Sequence, residues 1–255
     1  MNVNSMSQQQ IELAAEWIAK SKKLVVFTGA GISTESGLPD FRGPDGVWTR
    51  RDKGLPPPKS KPWHLVDPNT AHLAIVELQN LGLLDFLISQ NVDNLHLKSG
   101  IRPELLAELH GNTTLMRCLK CNRQMTYEQA SWDQKIFGPG YRTSPVQGRQ
   151  PKCPYCTGRL ISSVVNFGDP LPEKDLHDAL EHSKNCDVFL AIGSSLVVTP
   201  AAYMPQEALQ AGAKIILLNE GETPFDNVVQ LRIHGKAGVV LPQIMERVKT
   251  LMRSR

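Results

Sequence analysis

Residues 24–42, LVVFTGAGISTESGLPDFR, run from an unbroken apolar segment through a turn of small residues into an acidic, aromatic and basic triplet. No other stretch narrows the fold as much. Leu24 to Phe27 are large or β-branched with no polar alternation, the pattern of a strand covered on both faces, as in a parallel sheet. Gly29, Ala30 and Gly31 follow it. Small residues at the carboxyl end of such a strand, opening a helix, leave backbone N–H groups free and allow a diphosphate to approach closely. The fingerprint G-x-G-x-x-G is only partly met, because Thr34 stands where its third glycine would fall. An ordinary tight turn would account for Gly29-Ala30-Gly31 taken alone. Residues 33–44 are too polar and too rich in Pro and Gly to continue as one helix, so a short helical turn and an ordered loop are predicted. In that loop Arg42 would supply a fixed positive charge beside a diphosphate, and Phe41 an apolar wall against water.

Apolar periodicity places the remaining elements. A helix over 8–21 carries Ile11, Ala14, Ala15 and Ile18 on one face. Residues 43–68 form a long Pro- and Gly-rich loop, of the kind that is functional or mobile. A helix over 69–81, capped by Asp67 or Asn69 and stopped at Gly82, precedes a strand at 85–89. Further along come an apolar stretch at 161–165, a helix near 173–185, a strand at 187–192 and a helix near 200–212. Strands at 214–219 and 229–233 and a final helix from Ala237 end the pattern. Strands separated by helices of this length specify an α/β fold with a doubly wound parallel sheet. The 255 residues suffice for one such domain with a small insertion.

The insertion is predicted between Gly111 and about Leu160, where the periodic pattern stops. Cys118-x-x-Cys121 and Cys153-x-x-Cys156 bracket it, with 31 residues between the pairs. Two such knuckles complete a four-sulfur zinc site with no open position, hence a structural one; redox pairs are the other use of this spacing in a reducing compartment. The expected division is a larger domain of residues 1–110 and 161–255 and a zinc module of residues 111–160. Cys186 reads as a small buried residue.

In a doubly wound sheet, ligands sit at the carboxyl ends of the strands. Gln90, Asn91 and Asp93 stand at one such end, with amides and a carboxylate suited to a carboxamide, a water or a sugar hydroxyl. A self-capping Asx turn would use the same residues. Gly193, Ser194 and Ser195 stand at a second end and Asn219, Glu220 and Gly221 at a third, so one crevice is outlined. His110 has the right ordinary pKa for proton transfer at neutral pH, although a lone histidine beside an apolar segment is more often structural. Val164–Asp169 has the pattern of a plain edge strand.

The formal net charge is +3, and Lys and Arg are spread along the chain apart from Arg247, Lys249, Arg253 and Arg255. That group is expected to be a solvated helix face, and the scatter argues against direct nucleic-acid binding. No apolar run approaches a membrane span, and the first ten residues lack a secretory pattern. A soluble, intracellular, cytoplasmic protein is expected, with the nucleus open to a eukaryotic member.

G-A-G-x-S at 29–33, G-x-P-D-F-R at 37–42, Q-N-x-D-x-L-H at 90–96 and L-H-G at 109–111 resemble the motifs of the sirtuins, the NAD-dependent protein deacylases. The resemblance runs from Leu24 to about Leu241. It implies a Rossmann-like NAD-binding domain with a small zinc ribbon. By that resemblance NAD lies with its diphosphate over Gly29, Ala30, Gly31, Ser33 and Thr34. Asp40, Phe41, Arg42 and Trp48 surround it. The adenosine ribose lies near Asn219 and the nicotinamide beside Asp93, in a pocket lined by the motif that begins at Gln90; Gly193, Ser194, Ser195, Glu220, Gly221 and Ala237 are implied to contact NAD as well. His110 is implied as general base, and Asn91 as the residue positioning ribose or water. Val165, Asn166, Phe167 and Gly168 are implied to pair with the substrate backbone as an added strand, Asp169 replacing the family's usual glutamate. The implied reaction joins the acyl oxygen of a substrate lysine to the ribose carbon as nicotinamide leaves. A ribose hydroxyl, deprotonated by His110, then attacks the imidate carbon, and water completes the transfer, releasing lysine and O-acyl-ADP-ribose. Phe41 would hinder the return of nicotinamide.

G-I-S-T-x-S-G-x-P-D-F-R-G-P-x-G-V-W-T at 31–49 and L-R-I-H-G at 231–235 resemble the branch of nuclear chromatin sirtuins, on a short core like that of prokaryotic members. No Tyr-x-x-Arg, the pair that serves acidic acyl groups in the desuccinylase type, occurs between Trp48 and Gln90. Neutral acyl groups are therefore expected over succinyl. Protein mono-ADP-ribosylation and a non-catalytic module binding NAD or nucleic acid are the alternative functions.

Overall fold

Strands that are apolar along their whole length must be covered on both faces, and the elements between them supply the cover. The structure, a computed structural model, describes residues 3–254; Arg255 of the C-terminal basic group and the first two residues lie outside the described residues. In chain order, α1 (Val3–Lys20) leads into β1 (Leu24–Thr28) and a 3-10 helix (Ala30–Ser36). Next come α2 (Val47–Asp52), α3 (Thr70–Asn80), β2 (Leu84–Ser89), α4 (Leu95–Ser99) and β3 (Leu106–Glu108). β4 (Leu115–Cys118), β5 (Gln124–Thr126), α5 (Gln134–Phe137) and β6 (Leu160–Ser162) form the middle of the chain. After them stand α6 (Glu173–Asn185), β7 (Val188–Ile192), α7 (Tyr203–Gln210), β8 (Lys214–Asn219), β9 (Leu231–His234) and α8 (Ala237–Arg253).

Among the described residues the larger sheet has six strands in the order β3-β2-β1-β7-β8-β9. Every pair in it is parallel. Successive side chains of β1 go to opposite faces, as the pleat demands. Leu24 and Val26 pack with Ile11, Ile18, Ile75 and Leu241 from α1, α3 and α8. Val25 and Phe27 pack with Ala179, Met204 and Ala208 from α6 and α7. This is the doubly wound arrangement expected.

Asn69 caps α3: its Oδ1 accepts from the Ala71 amide at 2.9 Å, while the Asn69 amide donates to His72 Nδ1 at 3.3 Å. This reciprocal box contributes about 1 kcal/mol and selects Asn69 over Asp67 as the cap. The C-terminal cations are not merely solvated, since Arg247 pairs with Glu12 of α1 and Lys249 with Glu77 of α3 at 2.9 Å. The 43–68 segment is also more ordered than its composition implies. It contains α2, and the Lys61 amide donates to the Gly37 carbonyl at 3.2 Å.

A second, antiparallel sheet has the order β5-β4-β6. Its core is Met116, Met125, Trp132 and Leu160 with Cys118 and Cys153. The apolar stretch expected at 161–165 is thereby divided: residues up to Ser162 pair with β4, and the chain then leaves the sheet. A three-residue apolar run carries no mark of which sheet it joins. No helix among the described residues is long and apolar enough to cross a membrane.

Candidate active site

β1 and β7 are neighbours, but the chain leaves them in opposite directions, toward β2 from one and toward β8 from the other. A crevice opens at such a reversal. The two turns that flank it cross in contact, with the Gly29 amide donating to the Ile192 carbonyl at 3.0 Å and the Gly31 amide to the Gly193 carbonyl at 2.8 Å. A Cβ on Gly31 would stand 2.8 Å from Gly193 Cα, and Gly193 itself has φ +62 with Ile32 N 2.4 Å from its Cβ position. The glycines are thus required by the crossing of two backbones.

A cavity of about 890 Å³ fills this crevice. The first turn contributes Gly29, Ala30, Gly31 and Ser33, and the segment after it Asp40, Phe41, Arg42 and Trp48. Gln90, Asn91 and Asp93 line it from the end of β2 and His110 from beyond β3. Gly193, Ser194 and Ser195 follow β7; Asn219, Glu220 and Gly221 follow β8; Ala237 opens α8. Val165, Asn166, Phe167 and Gly168 line it as well. Thr34 does not, because its hydroxyl turns back to donate to the Gly31 carbonyl at 3.0 Å within the 3-10 helix.

The polar groups are tied to one another. The Ser33 hydroxyl donates to Asp93 Oδ2 at 2.7 Å and the Leu95 amide to Oδ1 at 3.0 Å. Burial raises the Asp93 pKa, opposed by those two hydrogen bonds. Asn91 Nδ2 donates to the Gly29 carbonyl and to Ser33 Oγ, each at 3.2 Å. Gln90 Nε2 donates to Ser194 Oγ at 2.7 Å, joining the two halves of the sheet across the crevice. His96, expected as a structural residue, is buried with Nε2 at 2.8 Å from Thr28 Oγ1.

His110 Nδ1 lies 2.8 Å from the Gln90 carbonyl. A carbonyl only accepts, so Nδ1 carries the hydrogen and Nε2 is left with its lone pair. Burial lowers the His110 pKa, the Gln90 hydrogen bond opposing, so the ring is neutral at pH 7. Beside it, Gly111 has φ +78, and a Cβ there would meet the Ser163 carbonyl oxygen at 1.9 Å.

Two expected features take a different form. Asp40 accepts from the Gly43 amide at 3.2 Å, and its oxygens occupy the space that a Cβ on Gly43 or Gly46 would need. Burial raises its pKa. The carboxylate therefore shapes the loop that carries Phe41 and Arg42. The edge strand expected over Val164–Asp169 is instead irregular chain closed by a turn, with the Asp169 amide donating to the Asn166 carbonyl at 3.0 Å and the Val165 amide to the His110 carbonyl at 2.9 Å. At the mouth Phe41, Trp48 and Phe167 form a row, with ring centroids 5.8 and 6.4 Å apart.

Sequence reasoning missed Pro57, Pro58, Ser60 and Trp63, which fold over the cavity from the 43–68 segment, and Val197 to Pro200 after β7. Three consecutive prolines, Pro56 to Pro58, and a tryptophan inside a polar loop were the available signal.

The four sulfurs of Cys118, Cys121, Cys153 and Cys156 lie within 4.8 Å of one another. Cys118 Sγ to Cys156 Sγ is 3.4 Å and Cys121 Sγ to Cys153 Sγ 3.8 Å. Zinc bonds of about 2.3 Å in a tetrahedron need sulfurs about 3.8 Å apart, so the cluster fits that ion. It lies in the smaller sheet's core and takes no part in the cavity.

The Sir2 family model matches residues 58–200. The chain is 42% identical over 261 residues to NAD-dependent protein deacylase 2 of Archaeoglobus fulgidus, a match covering 96% of this chain and 98% of that one. It is 42% identical over 240 residues to NAD-dependent protein deacetylase SRT1 of Arabidopsis thaliana, covering 94% of this chain and 49% of that protein, about half its length. Among solved structures, a Sir2 protein bound to a myristoylated histone peptide superposes with a TM-score of 0.67 at 36% identity, covering 97% of this chain and 100% of the other.

Proposed function

This chain belongs to the Sir2 family, and from that premise we propose that it is an NAD-dependent protein-lysine deacylase giving nicotinamide, free lysine and O-acyl-ADP-ribose. One observation carries the reading. His110 presents a neutral ring with its Nε2 lone pair free, on the wall of the cavity that also holds Asn91, Asp93 and the glycine turn.

NAD, when bound, supplies the ribose carbon that exchanges nicotinamide for the acyl oxygen of the substrate. The residues of the chain bind, orient and move a proton. The turn at Gly29–Ser33 offers backbone N–H groups to the diphosphate, and Arg42, exposed at the cavity wall, offers its charge. Asp93, oriented by Ser33 and the Leu95 amide, receives the carboxamide. Asn91 has both amide hydrogens engaged, so Oδ1 is its free group for a ribose hydroxyl or water. His110 Nε2 takes the proton of a ribose hydroxyl. Phe41, Trp48 and Phe167 keep water from the reacting carbon.

Residues 163–169 hold the peptide, and Cys118, Cys121, Cys153 and Cys156 hold one structural Zn²⁺. The module they organise spans 111–162, its edge set by β6, and is inserted in an NAD-binding domain made of the rest. Zinc with four thiolates has no open position and does no chemistry here. No observation favours ADP-ribosylation of a protein nucleophile.

Arg42 is the one Lys or Arg among the cavity-lining residues, and it is assigned to the diphosphate, so neutral acyl groups fit better than succinyl. Nicotinamide release measured with acetyl-lysine and succinyl-lysine peptides tests both parts. Release that needs a peptide and is faster with acetyl supports the reading. Release without peptide, or faster with succinyl, contradicts it.

A further inference from the structure

The Lys and Arg residues look scattered along the chain but are unevenly divided between the two sheets' bodies. Residues 111–162 hold eight Lys and Arg against two Asp and Glu, a formal +6, whereas the rest of the chain, with 20 against 23, carries −3. Four thiolates on one Zn²⁺ would reduce the module's charge by two and leave it strongly positive. Lys120, Arg123, Lys135, Arg142, Arg149 and Lys152 are all exposed, and among the described residues none of them makes an ion pair. The larger body, by contrast, pairs many of its cations, as in Arg247–Glu12, Lys249–Glu77 and Arg232–Asp226.

At the knuckle end one of these cations lies over an exposed aromatic ring, and two more stand beside the cysteine knuckles, Lys120 before Cys121 and Lys152 before Cys153. The Arg123 guanidinium lies 4.4 Å from the centre of the Tyr155 ring, and Tyr155 is 62% exposed. Lys120 lies against Gly158 of the second knuckle, its Cβ 2.6 Å from where a Cβ on that glycine would stand. The Lys152 backbone pairs antiparallel with that of Arg159, whose guanidinium is turned inward and donates to the Ser144 carbonyl at 2.7 Å. Lys120, Arg123 and Lys152 are thus exposed cations that make no ion pair among the described residues.

We infer that the knuckle end of the module binds the phosphate backbone of a nucleic acid without sequence preference, through Lys120, Arg123 and Lys152, with Tyr155 as a stacking face for an unpaired base. Unpaired cations beside an exposed ring are the combination that such ligands use. An acidic protein surface would use the charge and leave the ring idle. β6 runs directly into residues 163–169 at the cavity mouth, so a nucleic acid held here brings lysines of its associated proteins to the peptide entrance. The binding stands independently of the deacylase reading.

Fluorescence anisotropy of the full, zinc-loaded chain with labelled mixed-sequence DNA tests this. Three phosphate contacts predict a log–log salt slope of about −2 for a single strand and about −3 for a duplex. Lys120→Glu/Arg123→Glu/Lys152→Glu is expected to weaken binding at least about tenfold and flatten the slope. Tyr155→Ala is expected to weaken the single strand by about fivefold or more and the duplex little. Zinc content and turnover of a short acetyl-lysine peptide should not change in either variant. If the triple variant loses zinc, Lys152→Glu alone decides, a salt slope reduced by about one supporting the site and an unchanged slope overturning it. No binding at about 50 mM salt, a triple variant that binds like its parent, or polyglutamate competing as well as DNA would each overturn the proposal.

Discussion

The Nδ1 of His110 donates its hydrogen to the Gln90 carbonyl across 2.8 Å, and this contact decides which nitrogen of the ring can act as a base. Gln90 also holds Ser194 through its side chain, so the same residue orients the proposed base and joins the two halves of the sheet at the crevice. Since burial lowers the His110 pKa, the ring is unprotonated, and competent, at and above pH 7. kcat/KM should therefore be flat between pH 7 and 8 and fall with acid only at a pH below the ordinary histidine value of about 6.5. His110→Asn should lower turnover by about 10²–10⁴-fold. A midpoint above the ordinary value, or a variant as active as its parent, would remove His110 from the reaction.

Gly111 is fixed by two independent constraints, a φ of +78 and a Ser163 carbonyl 1.9 Å from its Cβ position. Gly111→Ala should cost about 2–4 kcal/mol and depress activity with it, since the clash displaces His110 or the start of the segment proposed to hold the peptide. Denaturant unfolding of the two proteins measures the loss, and an equal midpoint would show that this backbone has room the geometry denies.

Glu108 is buried two residues before His110, and burial pushes its carboxyl up to about 8, opposed by the hydrogen bond from Asn112 at 2.8 Å and assisted by Asp175 and Asp93. The folded protein then holds a proton that the unfolded chain releases at about pH 4.5. The stability this group contributes is complete below that pH and is lost as pH rises through about 8. Glu108→Gln keeps the acceptor for Asn112 and has no charge to bury. It should be more stable than its parent by about 1–3 kcal/mol at pH 8.5, a gap that shrinks toward pH 5. Parallel stability curves would refute the shift.

Much of this was legible in sequence, and the reasons are physical. Every residue of β1 and β7 is buried, so these strands announce themselves as apolar runs that neither alternate nor break. Polar residues at the ends of such strands have few places to go except the crevice, which is why Gln90, Asn91, Asp93 and Ser194 were readable. β3 was not, being three residues long and placed only by its pairing with β2. The boundary expected at about Leu160 falls two residues short of the end of β6, because β6 pairs with β4 much earlier in the chain and its three-residue run carries no mark of that partner. Asp40 and Thr34 share a different difficulty: the motif gave their positions, whereas only coordinates reveal that their polar atoms serve their own loops.

Removal of zinc should act through the fold of the module. Cys121→Ser, or prolonged chelation, should release about one zinc per chain, lower Tm, and abolish deacylation in proportion to the metal lost. Elemental analysis paired with activity measures this. Full activity in metal-free protein would show that β4 to β6 hold the 163–169 segment without the ion.

The central claim is that this crevice breaks NAD and moves an acyl group onto the ADP-ribose. Mass spectrometry of a time course with NAD and an acetyl-lysine peptide tests it most directly. Nicotinamide, deacetylated peptide and O-acetyl-ADP-ribose should rise together in equal amounts. Acetate with free ADP-ribose as primary products, or ADP-ribose attached to protein with the peptide still acetylated, would contradict it.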